Sequence, residues 1–276
     1  IGGLCIVILT GSLTYLNIQI TNKYFLNNAT PSIENNQDIV YSAAKEINTD
    51  TTIESGDFES TIENENAIMV TGDITATLSH INVSKIGDSN GGDNTSFYGI
   101  NSAIIAKDGA KLTLDNANIV TDAIGANGVF SYGGSATTNN SSSDGTTINI
   151  SNSTITTKKD NSGGIMTTGG GTTTASQLTV STAGISSAAI RTDRGGGTVN
   201  VDGGTYTTTG QGSPAIYSTA NVNVSNAKLI SKASEGVVIE GKNSVILENV
   251  TLTDSNTKLN GQSTTYKNIF LYQSMS

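Results

Sequence analysis

The chain has 276 residues and a net charge of −9; 40 Thr, 32 Ser, 31 Gly and 30 Asn make up about half of it, and only 13% of residues are charged. Charge this far below the usual ~25%, a dominance of poor helix formers, a single cysteine and no basic surplus exclude a helical bundle, a disulfide-stapled scaffold and a nucleic-acid binder. A flexible linker is the remaining rival, but 35% of residues are hydrophobic and they are regularly placed, which disorder does not require.

In chain order, Ile1 to Leu16 is an apolar, uncharged run. It is short for a membrane span of ~20 residues. With no basic residues before it, it fits a truncated signal peptide or signal anchor; a buried strand is the alternative. Cys5 belongs to this run, because Gly2-Gly3-Leu4 is a poor context for lipidation. Residues 1–18 are therefore assigned to a cleaved signal or membrane anchor, which places the protein in the extracellular space or on the cell surface. Residues 19–47, with Pro31 and paired asparagines, read as a polar linker and N-terminal cap. Asp38 to Ile47 is a short cap or an irregular first strand.

From residue 48 to 276 one pattern recurs: apolar, x, apolar, x, often Asn, x, x, apolar. Its clearest copies begin at Leu112, Ile148, Val222 and Val245; weaker ones begin at Thr51, Ala76, Leu178 and Val199. A second strand precedes most copies, as in Ala67-Ile-Met-Val70, Ala103-Ile-Ile-Ala106 and Gly164-Ile-Met-Thr167. Alternation of period two means strands with one buried face. Each unit is too short to bury that face alone, so the units must stack. The expected fold is all-β: a right-handed, single-stranded parallel β-helix of about eight coils, with handedness taken from the usual crossover rule. Asn at the fifth position of successive copies is expected to form an amide ladder, with His80 as its substitute in one copy. Asn268 to Ser274 looks like the opening of a further coil, so the β-helix is expected to continue beyond residue 276.

The stretch from Thr51 to Ser274, with segments such as SFYGIN, GANGVFSYGG, SSAAIRTDRGGGTV and SEGVVIEGKNSV, resembles Gly/Thr/Asn-rich right-handed β-helix proteins of the pectin-lyase-like type from the surfaces of gut bacteria. The resemblance implies an adhesin-like or carbohydrate-binding protein. It does not fix an activity, because that superfamily holds lyases, hydrolases and non-catalytic adhesins alike.

On the second strand of each unit, one side-chain column reads Met69, Ile105, Phe130, Met166, Arg191, Tyr217, Val238 and Phe270, with Tyr132 and Tyr272 beside it. At ~4.8 Å per coil this is an outward stripe of roughly 34 Å. Such stripes mark interaction surfaces, and their aromatic rings suit stacking on sugars. The alternative is that loops 85–99 and 133–145 fold over it.

Glycoside hydrolysis needs two carboxyl groups about 5–9.5 Å apart. Asp115 and Asp202 are three coils apart, ~14 Å, which is too far. Asp193 and Glu240 share a column two coils apart, ~10 Å, with Arg191 adjacent, and are the candidate pair of an inverting hydrolase or a lyase. A calcium-dependent lyase needs clustered acids, and the flanking Thr168 and Thr219 supply none. Asp88, Asn90 and Asp93 form a weak calcium candidate that departs from the EF-hand pattern. The glycine runs 169–171 and 195–197 open no helix and are not nucleotide loops. The expected function is a non-catalytic, adhesin-like surface or secreted protein that binds a glycan or another surface protein; the alternatives are a polysaccharide-active enzyme and a purely structural stalk.

Overall fold

Alternating apolar and polar residues become strands that bury every second side chain, as in Thr75–Ser79 and Lys111–Asp115, whereas strands such as Ile165–Thr168 and Val237–Glu240 bury consecutive ones; the short polar interruptions become the corners between them. The computed structural model describes residues 17–21, 39–134, 143–256 and 265–273. Its strands are parallel and fall into three columns, apart from Asn17–Thr21, which pairs antiparallel with Ser244–Glu248. The first column runs Thr51–Ile53, Thr75–Ser79, Lys111–Asp115, Thr147–Ser151, the opening halves of Gly171–Thr182 and Gly197–Thr208, Asn221–Ser225 and Ser244–Glu248. The second runs Gly56–Ser60, Ile81–Lys85, Asn118–Thr121, Thr154–Thr157, the closing halves of the same two long strands, Lys228–Ser231 and Thr251–Asp254. The third runs Ala43–Ile47, Asn66–Thr71, Ile104–Lys107, Val129–Tyr132, Ile165–Thr168, Ile190–Thr192, Ile216–Ser218, Val237–Glu240 and Ile269–Tyr272. The inward residues of all three columns meet in one core, for example Leu112, Ile148 and Val222 from the first, Ile119, Ile155 and Leu229 from the second, and Ile104, Ile165 and Val237 from the third.

Of the two alternatives for Asp38 to Ile47, the structure has the strand: Ala43–Ile47 opens the third column. One expectation shifts. The repeat copy set at Leu178 belongs to the second column, where Leu178 pairs with Gly204. Its first-column position is held by Thr173, in register with Ile148 and Val199. Thr173 breaks the apolar pattern but is buried there, and its hydroxyl is satisfied by Thr167 at 2.7 Å. The anchor segment lies almost wholly outside the described residues. No helix among the described residues is long and apolar enough to cross a membrane.

The fifth-position asparagines mark the corner from the first column to the second. His80, Asn116, Asn152, Gln177, Asn226 and Asn249 all have φ between 50° and 54°, the left-handed conformation that Asn tolerates best among residues with a side chain. This corner is exposed, so the amides ladder on the outside. Asn249 Nδ2 donates to Asn226 Oδ1 at 2.7 Å, and Asn226 and Asn152 donate to Asp202 and Asp115. The demand on φ, more than an internal amide ladder, selects Asn.

The corner from the second column to the third is buried and is built from hydroxyls. Thr157, Thr182 and Thr208 donate to the carbonyls of Ser162, Ser187 and Ser213, each five residues on. The serines link neighbouring repeats: the amides of Ala126, Ser162 and Ser187 donate to Ser162 Oγ, Ser187 Oγ and Ser213 Oγ at 3.0, 3.0 and 2.8 Å. Thr121, followed five residues on by Ala126, has its Oγ1 buried without a partner, and nothing in the structure explains this, since Ala126 keeps the backbone carbonyl that accepts in the other repeats. One repeat earlier the threonine is replaced by Lys85, which is fully buried; its Nζ donates to the carbonyls of Ile62 and Gly87 at 2.8 and 2.7 Å.

Burial pushes the Lys85 amine down to about 8 from its ordinary 10.5, against the opposing pull of Glu65 and Asp88. A folded-state value below the unfolded one means that the unfolded chain binds more protons between the two. Lys85 therefore adds stability as the pH rises from about 8 to 10.5. The difference in unfolding free energy between the parent and Lys85→Met should move in favour of the parent across that window, measured by urea denaturation; a difference independent of pH would contradict this placement.

Candidate functional site

The expected stripe stacks in register: Met69, Ile105, Phe130, Met166, Arg191, Tyr217, Val238 and Phe270 pair in sequence down the third column. Its first half is not open. Met69, Ile105, Phe130 and Met166 form a second apolar cluster, and Ile105, Phe130 and Met166 are 0% exposed. The cover is the segment between Lys85 and Ala103, which carries the short helix Asp93–Phe97. Gly99 closes over Phe130 so tightly that a Cβ there would sit 2.6 Å from the ring. Asn66 donates to the Gly99 carbonyl, Asn127 to Thr95, Thr168 to Phe97 and Tyr41 to Tyr98. Tyr132 packs on the cluster and meets Tyr98 edge-on at 5.8 Å. The reason is energetic: four large apolar side chains in a row are stabilised by leaving water, and the insertion supplies a hydrogen-bonded lid.

The second half differs in chemistry. Val238 and Phe270 are also buried, but Arg191, Tyr217 and Tyr272 are half-buried. Around them the structure brings together residues that the sequence placed on one column. Arg191 Nη2 donates to Asp193 Oδ2 at 2.8 Å, and Asp193 Oδ1 accepts the Arg194 amide at 3.0 Å. The Tyr217 and Tyr272 hydroxyls both donate to Glu240 Oε2, Tyr272 at 3.1 Å. Phe270 and Tyr272 stack with centroids 5.0 Å apart, and the Arg191 guanidinium lies 5.7 Å from the Tyr217 ring centre. Arg194 stands 4.4 Å over the Phe97 ring and so ties this cluster to the lid.

Burial pushes the Asp193 carboxyl up, against the pull of Arg191, and the charge of Glu240 pushes the same way. Burial first, then the Glu240 charge, raises the Tyr217 phenol far above its ordinary value; burial likewise raises Tyr272 to about 12. Both phenols stay protonated and act as donors. The cluster therefore offers two carboxylates, a guanidinium, two hydroxyls and the half-buried Tyr272 ring, one face of which is taken by Phe270. Such a set can hydrogen-bond hydroxyl-rich ligands and stack on sugar rings.

The other candidates have structural tasks. Asp88 accepts the Ile124 amide at 2.8 Å and Asn90 accepts from Asn64 at 3.2 Å, while Asp93 opens the short helix. Asp115 and Asp202 accept side-chain hydrogen bonds at the exposed Asn corner. Sequence reading named Asp193, Glu240 and Arg191 together but did not join Tyr217 and Tyr272 to Glu240. The shared register was the available signal. No protein family, no curated protein and no solved structure matches the chain.

Gly99→Val should lift the lid. Its φ of 76° and the Phe130 contact leave no space for a side chain, so stability should fall by about 1–3 kcal/mol, and cleavage by proteases between residues 86 and 102 should accelerate. Unchanged proteolysis would show that the lid does not depend on this contact.

Proposed function

We propose that the three columns are the faces of a right-handed, single-stranded parallel β-helix, and that the protein is a non-catalytic, adhesin-like molecule of the cell surface or secreted space that binds glycan. Support for the solenoid comes from the chain order. Each repeat visits the first, second and third columns in turn, in parallel register, around one core, and such crossovers are right-handed in nearly all known cases. The likeness to pectin-lyase-like surface proteins is carried by the residues alone.

The observation that carries the binding reading is the division of the third column. Its Met69–Met166 half is sealed, whereas the Arg191–Asp193–Tyr217–Glu240–Tyr272 half sets charged hydrogen-bonding groups beside stacked rings. The site is thus a patch of this half of the column, not the whole stripe. A polysaccharide-active enzyme is the second reading, favoured by Asp193 and Glu240 standing on one column and by the raised Asp193 carboxyl, as a general acid requires. The Arg191 bond that holds Asp193 favours binding over turnover.

A glycan array probed with the whole chain tests this. Binding should be selective, and Tyr272→Ala and Arg191→Ala should each weaken it at least ~10-fold, the loss of about 1.4 kcal/mol, with no release of reducing ends from any bound polysaccharide. Absence of binding, or silence of both substitutions, would overturn the site and leave a structural stalk. Turnover that disappears in Asp193→Asn would establish the enzyme instead.

A further inference from the structure

The buried corner between the second and third columns carries charge in its first repeats and again in its last described ones. Its ladder position reads Ser60, Lys85, Thr121, Thr157, Thr182, Thr208, Ser231 and Asp254, in parallel register. In the first repeats a carboxylate, Glu65, accepts from Ser60 Oγ at 2.8 Å, and the next ladder residue is Lys85, a buried cation that feels the Glu65 charge. There a cation stands on the ladder within range of the Glu65 charge, with its Nζ bonded to the Ile62 and Gly87 carbonyls.

In the last described repeats the carboxylate is Glu235, 1% exposed. Its Oε2 accepts from Ser234 Oγ at 3.0 Å, while its Oε1 is sealed from solvent and has no hydrogen-bond donor. Ser231 Oγ donates to the Ser234 carbonyl at 3.1 Å, and Ser231 stands in register with the next ladder residue. That residue is Asp254, not a lysine, and the Glu235 charge reaches it. Among the described residues neither acid forms an ion pair with a lysine or arginine; the nearby Lys228 and Lys232 are exposed. A sealed carboxylate oxygen without a donor is costly unless a positive charge meets it.

We propose that this end of the hydroxyl ladder binds a calcium ion between Glu235 Oε1, Asp254 and the hydroxyl and carbonyl oxygens of Ser231 and Ser234. Calcium takes mixed carboxylate, carbonyl and hydroxyl oxygens in flexible geometry, whereas magnesium demands a regular octahedron. The site uses none of the residues of the proposed glycan cluster and stands or falls separately from it.

Calorimetric titration of the whole chain with calcium chloride should give one site with Kd on the order of 10⁻⁴ to 10⁻³ M, the range of extracellular modules. Calcium should raise the thermal midpoint of the parent, magnesium should raise it less, and Glu235→Gln and Asp254→Asn should each abolish the calcium-dependent rise. In chelator the order should reverse: Glu235→Gln, which removes the unanswered charge, should melt above the parent. A parent indifferent to calcium, or an equal calcium shift in both variants, would overturn the proposal. So would a parent whose missing charge is supplied by a shared proton, seen as a midpoint that rises on acidification with no response to calcium.

Discussion

Backbone and hydroxyl groups that turn a corner inside a protein must find partners there, because water cannot reach them. The turn from the second column to the third is such a corner, and the remainder of the structure depends on how it is satisfied. The Oγ1 of one threonine reaches five residues along its own repeat, and the Oγ of one serine takes the amide of the repeat before it. One bond closes the corner and the other fixes the spacing between repeats. With corner and spacing set, the inward residues of successive repeats fall directly over one another and the core is continuous. The opposite corner, exposed to water, needs only a residue that accepts positive φ. The two corners thus select different residues: Thr and Ser serve the buried one, Asn the open one.

The same regularity builds the candidate site. A strict column turns sequence-distant residues into neighbours: Arg191, Tyr217, Glu240 and Tyr272 come from four repeats. A column also accumulates whatever it carries. Where it carries large apolar side chains, a continuous apolar strip results, and the insertion carrying Asp93–Phe97 covers it. Where it carries an arginine, carboxylates and phenols, the residues satisfy one another and stay partly open. Burial and like charge then raise the proton affinity of Asp193, and the phenols remain donors. The polar, partly open groups of the column are thus confined to the patch beyond the lid.

Much of this was legible in the sequence. Period-two alternation gave the strands, because it is a local demand of the backbone; the fifth-position asparagine was visible too, but as a ladder and not as the exposed positive-φ corner that it marks. The stacking of Met69 through Phe270 and the pairing of Asp193 with Glu240 on one column followed from register alone. Other features were not legible. Thr173 holds an inward position through a hydrogen bond to Thr167, which an apolar-pattern search cannot see. The lid depends on tertiary contacts, such as Gly99 against Phe130, that no periodicity records. The hydroxyl corner left a visible trace, a threonine or serine followed five residues later by serine at 157 and 162, 182 and 187, and 208 and 213. In a chain half made of small polar residues, that trace is masked by composition.

Native-state hydrogen exchange of the corner amides tests the account most directly, since protection reports which bonds open only with the whole fold. The amides of Ala126, Ser162 and Ser187, bonded to serine hydroxyls, should be as protected as the core strand amides of Ile165 and Ile190. Replacing Thr182 with Val should speed exchange at Ser187 and in the repeats on either side of it. Exchange of these corner amides at the rate of exposed loops, or a Thr182→Val effect confined to its own repeat, would contradict the central role given to the buried hydroxyl corner.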